Sequence, residues 1–186
     1  MKATIKTNFP KASDKIDLNI LQQHLETLDL TNADNLNFWL YCTIAMRTGL
    51  RSIDILKMKT SSINKKERFS ELVEQKTKKK VRVRIVNVVI DKINFEQDYV
   101  IFNHKYKTNV SLMTINRRLK ALYADSNSNV SSHSIRKSTA TSIYEKTGNN
   151  IIKAMLFLNH SSPLMTKNYL GITASEKMEL YDLLDY

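Results

Sequence analysis

The stretch Ser131-Ser132-His133-Ser134-Ile135-Arg136-Lys137-Ser138-Thr139-Ala140-Thr141 decides how this chain is read. Either leading serine can cap a helix running from His133 to Lys146, and Gly148 suits its C-terminal stop. His133 and Arg136 then lie three residues apart on one face of the first helical turn. An anion placed there meets the free N–H groups of that turn and the positive end of the helix dipole. The segment therefore predicts a helix and an anion-binding turn together.

Working outward, Leu158-Asn159-His160-Ser161-Ser162 follows a predicted helix over about 150–158 and leads into another opened by Ser162-Pro163, with proline at the first helical position. That last helix carries Tyr169. Upstream, Thr48-Gly49-Leu50-Arg51 interrupts a segment, Ala33 to Arg47, that is apolar nearly all round and so predicts a central buried helix. A helix restarts over Ser52–Met58, with Ile53, Ile55 and Leu56 expected inward. Leu18, Leu21, Leu25 and Leu28 recur at helical spacing, and Ser111 caps a helix reaching about Ala124. The middle differs: Phe69–Gln75 and Val81–Val89 carry β-branched residues in near-alternation around Lys78-Lys79-Lys80, which predicts a hairpin without an Asn-Gly or Asp-Gly turn. Tyr99–Phe102 reads as a short further strand or an extended segment. Three glycines and two prolines in 186 residues agree with an α+β fold that is mostly α-helical, with a small antiparallel hairpin or sheet at one edge.

Residues 1–16 are polar, include Pro10 and read as a leader or linker remnant, leaving 17–186 as one domain. The net charge of +11 points to a polyanionic partner, nucleic acid ahead of a membrane surface, because the charge is clustered: six of the nine residues from Lys76 to Arg84 are basic. Cys42, the only cysteine, sits in an apolar stretch and reads as a buried thiol; neither a disulfide framework nor a zinc site can be built from it. No apolar run approaches the length of a membrane span, and the N-terminus lacks the apolar core of a secretory signal, so a cytoplasmic chain, nucleoid-associated when bound to DNA, is expected.

Taken singly, each candidate has an ordinary reading. Arg51 is a salt-bridge partner for Asp54, Lys76 belongs to a solvated basic hairpin, and His133 serves as a capping residue. His160 is a satisfied core histidine, and Tyr169 one packed tyrosine among eight. Together they form a set able to hold, neutralise and attack a phosphodiester.

With Thr-Gly-Leu-Arg51-Ser-Ile-Asp54, Lys76-Thr77, His133-Ser-Ile-Arg136-Lys-Ser-Thr-Ala-Thr, and Leu-Asn-His160-Ser-Ser with Tyr169-Leu-Gly nine positions on from His160, the chain from about Leu18 onward resembles the catalytic domain of the tyrosine recombinases, the phage-type integrases. The resemblance implies site-specific DNA strand cleavage and religation for a mobile element through a covalent 3′-phosphotyrosine. Tyr169 would be the nucleophile, His133 its base, Arg51 and Arg136 the phosphate clamp, His160 a further phosphate donor, and Lys76 the general acid, with Lys78 as fallback. It implies no metal and no nucleotide cofactor, and the sequence offers no convincing site for either. Lys78, Lys79, Lys80, Arg82 and Lys137 are the expected DNA contacts. The expected partners are double-stranded DNA, a homotetramer on DNA that is a monomer or weak oligomer without it, and accessory recombination proteins. The tail 173–186 reads as an amphipathic helix suited to docking on a neighbouring protomer or on its own domain. Two details depart from the family pattern: the hairpin turn lacks the common glycine, and Asn159 stands where glycine is frequent. Relatives also carry an N-terminal core-binding domain, so either a catalytic fragment or a naturally short enzyme fits. Rival readings are a type IB topoisomerase-like DNA relaxation activity and a catalytically silent DNA-binding regulator on the same fold. The intact residue set argues against the regulator.

Overall fold

A computed structural model describes residues 13–126 and 128–172; the amphipathic tail 173–186 and most of the expected leader lie outside them. Residues 13–16 run against the later helices. Asp14 donates its N–H to the Asn129 carbonyl at 3.1 Å, and its carboxylate accepts the Asn129 N–H at 2.7 Å. The Ile16 N–H reaches the Ser138 hydroxyl at 2.8 Å.

Asp17 caps α1 (Leu18–Glu26), which turns Leu21 and Leu25 inward. The side chain of Asn32 accepts the Asp34 and Asn35 N–H groups to start α2 (Ala33–Thr48). Its all-round apolar sequence has the expected consequence: from Asn37 to Ala45 every residue but Trp39 is buried. Cys42 is among them, and burial pushes its thiol pKa up.

Gly49 ends α2 at φ +61°, a conformation that costs an L side chain roughly 1–2 kcal/mol. A β-carbon there would also clash with the edge of the Phe157 ring. Overpacking of that kind costs about 1–3 kcal/mol. Gly49→Ala is therefore expected to destabilise the fold by roughly 2–4 kcal/mol, read as a melting temperature lower by about 5–15 °C. A melting temperature unchanged within a degree would contradict this packing.

The short α3 (Ser52–Leu56) buries Ser52, Ile55 and Leu56 on one face, while Ile53 is 38% exposed. The inward assignment of Ile53 is thus corrected: positions i, i+3 and i+4 from Ser52 share the buried face, and Ile53 falls beside it. A 3₁₀ turn then leads into β1 (Ile63–Asn64), β2 (Phe69–Val73) and β3 (Lys80–Arg84), an antiparallel sheet in that order. Glu71 faces Arg82, and Leu72 faces Val81.

The hairpin is shorter than the alternation suggested. Its second strand stops at Arg84, and the following residues form α4 (Asn87–Ile90). Ile85 still donates its N–H to the Arg68 carbonyl at 2.9 Å, and within the helix Val89 is buried while Val88 is 48% exposed. At the turn, Lys78 takes φ +59° in place of the missing glycine, and its N–H closes on the Glu74 carbonyl at 3.0 Å.

Tyr99 makes an isolated bridge to Lys59, and β4 (Phe102–Asn103) pairs with β5 (Thr108–Asn109). Ser111 caps α5 (Leu112–Leu122). Ser131 caps α6 (Ser132–Lys146) through a capping box with Ser134. Asn150 caps α7 (Ile151–Phe157), and Ser162 caps α8 (Pro163–Leu170), with Pro163 at its start.

The main core gathers α1, α2, α3, the sheet and α5, and ends at Ile135. A smaller cluster of Ala140, Ala154, Leu158 and Leu170 lies on the other side of α6. The helix α6 is thus the wall between two packed layers, and the candidate site lies at its N-terminal end. Among the described residues, no helix is long and apolar enough to cross a membrane.

Candidate active site

Arg136 projects from the first turns of α6 and is only 4% exposed. Its guanidinium is anchored by two backbone carbonyls: one terminal nitrogen donates to Gly49 and the other to Leu158, the latter at 2.9 Å. Those carbonyls end α2 and α7, so the arginine ties three helix termini together. Two of its five N–H donors are spent this way, and the guanidinium also lies beside Tyr169. Burial lowers its pKa, partly offset by Tyr169 and Glu74, yet a guanidinium stays charged in a protein.

Arg51 caps the start of α3 by position, with no side-chain capping bond. Its Nη1 meets Glu74 Oε1 at 2.6 Å, and the Glu74 side chain is 1% exposed. The sequence suggested Asp54 as its ordinary partner; the structure gives Glu74 instead. Asp54 turns one oxygen to the Gln75 N–H at 2.7 Å and leaves the other buried without a partner. Burial raises the Asp54 pKa, with Glu74 adding to the effect and Gln75 opposing it.

The Tyr169 hydroxyl is buried and, among the described residues, makes no hydrogen bond of good geometry, although the Arg136 guanidinium lies close enough to favour its ionised form. The Arg136 guanidinium lies 5.9 Å from the centre of its ring, and the His160 ring meets it edge-on at 5.4 Å. Burial raises the phenol pKa, against the opposing charges of Arg136 and Arg51. At neutral pH the tyrosine is a protonated phenol, and attack requires a base and a positive pocket.

His160 Nδ1 lies 3.1 Å from the hydroxyl of Thr166, a fully buried residue on α8. Just before it, Asn159 takes φ +52°, which accounts for asparagine at a position where glycine is frequent, since asparagine enters this region more readily than other residues. Burial, then Arg136 and Arg51, press the His160 pKa down to about 4. Partial desolvation by the surrounding protein, followed by Arg136, Arg51 and Lys76, lowers that of His133, which keeps part of its surface open to solvent. Both rings are neutral at pH 7, the form in which an imidazole can accept a proton.

The low His160 pKa makes a prediction about stability. The unfolded chain binds a proton at this residue near pH 6.5 and the folded chain only near 4, so stability is lost as pH falls through that window. His160→Asn is expected to flatten the dependence of melting temperature on pH between 6.5 and 4. An identical slope in the variant would contradict the assignment.

Lys76 is exposed at the hairpin turn, and its charge reaches both histidines. Arg51, Lys76, His133, Arg136, His160 and Tyr169, scattered through the sequence, are thus brought to one place. The other basic candidates lie apart from it. Lys78, Lys79 and Lys80 are exposed along the turn and the start of β3. Arg82 stacks on Phe69 at 3.4 Å and pairs with Glu67 at 3.0 Å. Lys137 is half-buried, with its Nζ 3.5 Å from the Ser13 carbonyl. His24 packs against Phe38 and His104 against Phe102, outside the site. Among the described residues no group of three or more His, Cys, Asp or Glu could hold a metal ion.

Sequence reasoning missed three supports: Glu74, Thr166 and the carbonyls under Arg136. The only available signal was one acidic residue beside a run of lysines.

The family model described as the phage integrase family matches residues 15–176. Over 150 residues the chain is 27% identical to a probable integrase/recombinase, YoeC, of Bacillus subtilis (strain 168), covering 77% of this chain and 81% of that one. The crystal structure of XerA recombinase superposes with a TM-score of 0.64 at 17% identity, over 100% of this chain and 70% of the other. The XerH site-specific recombinase, bound to a palindromic difH substrate after cleavage, gives 0.67 at 16% identity, over 95% of this chain and 54% of that chain.

Proposed function

Since the chain belongs to the phage integrase family and is a DNA breaking and rejoining enzyme of the tyrosine-recombinase kind, we propose that Tyr169 is its nucleophile and that the convergent residues form its phosphate site. The observation that carries this reading is the burial of the Tyr169 hydroxyl beside Arg136, in a pocket where Arg51, Arg136 and Lys76 all act on two neutral histidines. The proposed partner is duplex DNA, in keeping with XerH, which is bound to a palindromic difH substrate.

Attack by the Tyr169 oxygen forms the P–O(Tyr) bond while the phenolic proton passes to His133. The bond from phosphorus to the 5′ oxygen breaks, and that oxygen takes a proton from Lys76. The products are a 3′-phosphotyrosine and a free 5′-hydroxyl, so the bond energy is kept for religation. The unspent N–H donors of Arg51 and Arg136 meet the non-bridging oxygens as charge builds in the transition state. His160 adds a hydrogen bond to the same phosphate. Among the hairpin lysines, Lys76 fits the acid role best, because its charge is the one felt at both histidines.

The assembly on DNA is proposed to be a homotetramer, with accessory proteins controlling direction. Lys78, Lys79 and Lys80 supply phosphate contacts without base readout. Each alanine substitution there is expected to reduce the slope of log K against log salt by about one, with the cleavage rate at saturating DNA unchanged. An unaltered slope in all three variants would remove the hairpin from the DNA interface.

The function itself is tested with nicked duplexes tiled across the sequence flanking the gene. The expected result is an SDS-resistant protein–DNA adduct with a free 5′-hydroxyl at one site. Salt-sensitive binding with no adduct, even when an N-terminal binding domain is supplied in trans, would favour the silent regulator. Relaxation of supercoiled plasmid without strand exchange between two sites would favour the topoisomerase reading.

A further inference from the structure

We propose that Glu74 is a positioning residue for strand cleavage: its carboxylate couples the Arg51 clamp to the hairpin turn that presents Lys76. The proposal rests on Lys76 being the general acid. Each group of Glu74 has a partner on one side or the other of this junction. Oε1 accepts from Arg51 at 2.6 Å, and Oε2 accepts from the Thr77 hydroxyl. Its carbonyl accepts the Lys78 N–H at 3.0 Å, and its own N–H donates to the Lys79 carbonyl at 2.9 Å. The next residue continues the link, since the Gln75 N–H reaches Asp54 at 2.7 Å, in the same helix that Arg51 begins. The turn is held on both sides of Lys76 while Lys76 itself stays exposed.

Burial sets this contact apart from ordinary hairpin charge pairing. The Arg82–Glu67 pair on the same sheet has side chains 57% and 59% exposed, whereas the Glu74 side chain is 1% exposed. Exposed pairs contribute little, and a buried pair is often no more stabilising than apolar packing. Stability alone gives weak reason for a carboxylate here; geometry gives a strong one. A lysine has a flexible four-carbon stem, so where its ammonium falls depends on the backbone that carries it. A general acid must lie within hydrogen-bond reach of the leaving oxygen, and a displacement near 1 Å can cost roughly 10²-fold in rate. Nor does Glu74 exhaust the clamp, because Arg51 spends one N–H of five on it.

The test uses the full chain in single-turnover cleavage at the mapped site, with oxygen or sulfur at the bridging 5′ position. A sulfur leaving group departs as a thiolate and needs no proton, so it bypasses the general acid. Wild type is expected to cleave both substrates. Lys76→Ala loses the oxygen substrate and recovers on sulfur; Arg51→Ala is slow on both. Glu74→Ala is expected to fall about 10²-fold on oxygen and return to within a few-fold of wild type on sulfur. Glu74→Gln should shift the same way by less, and it carries the comparison if the alanine variant does not fold. Failure of Lys76→Ala to recover on sulfur would overturn the acid assignment, and this proposal with it. Recovery of Lys76→Ala without recovery of either Glu74 variant would overturn the Glu74 proposal alone, leaving the carboxylate as a support for Arg51. Unchanged or faster cleavage of the oxygen substrate by the Glu74 variants would also overturn it, making Glu74 a competitor for the clamp.

Discussion

Tyr169→Phe is expected to bind DNA within a few-fold of wild type and to form no covalent adduct, a loss on the order of 10⁵-fold or more in cleavage. The substitution removes one oxygen and no ring, so the edge contact with His160 and the Arg136 guanidinium beside the ring both remain. The structure adds a sharper expectation. Among the described residues the buried hydroxyl makes no hydrogen bond of good geometry, its nearest charged neighbour being the Arg136 guanidinium, and deleting a poorly satisfied polar group costs the fold little or stabilises it. The melting temperature should therefore stay level or rise slightly while activity disappears. A variant that melts well below wild type would mean that the hydroxyl has a structural partner. Residual adduct would mean that another residue attacks the phosphate.

Arg136→Ala is the second large effect, and it has two separable parts. Removing the guanidinium leaves the Gly49 and Leu158 carbonyls unpartnered at the ends of two helices, which should cost roughly 2–4 kcal/mol of stability. The same change removes the donors proposed to clamp the phosphate, for which a loss of roughly 10³–10⁵-fold in cleavage is expected. The stability loss is read by denaturant unfolding without DNA, and the catalytic loss by single-turnover cleavage at saturating DNA below the unfolding temperature. Arg136→Lys keeps a charge but cannot span both carbonyls and the phosphate, so it should recover binding better than cleavage. A cleavage rate equal to wild type in either variant would sink the clamp assignment.

Much of this arrangement is legible in the sequence. The caps at Ser111, Ser131 and Ser162 carry side-chain signals, and each starts a helix in the structure; the caps at Asn32 and Asn150 emerge only in the structure. The end of the Val81–Val89 stretch is helical and not strand, because an apolar β-branched run fits a strand or a buried turn of helix equally well. What decides it is the burial of Val89, set by packing on the core.

At the site, the side chains expected to do chemistry were legible because arginine, lysine, histidine and tyrosine announce themselves. Their supports did not. The anchors beneath Arg136 are backbone carbonyls, which every residue has. Glu74 stood beside a basic run whose charge suggested solvent, and only the fold shows that it is buried against Arg51. Thr166 is one threonine among many until α8 turns it toward His160.

The most direct test is to identify the residue joined to DNA in the wild-type adduct. Trypsin digestion should leave the nucleotide on the peptide spanning 168–177, which holds Tyr169 as its one tyrosine, and fragmentation should place a 3′-linked phosphate on that side chain. Nucleotide found on any other tyrosine, or on a serine or threonine, would contradict the account at its centre.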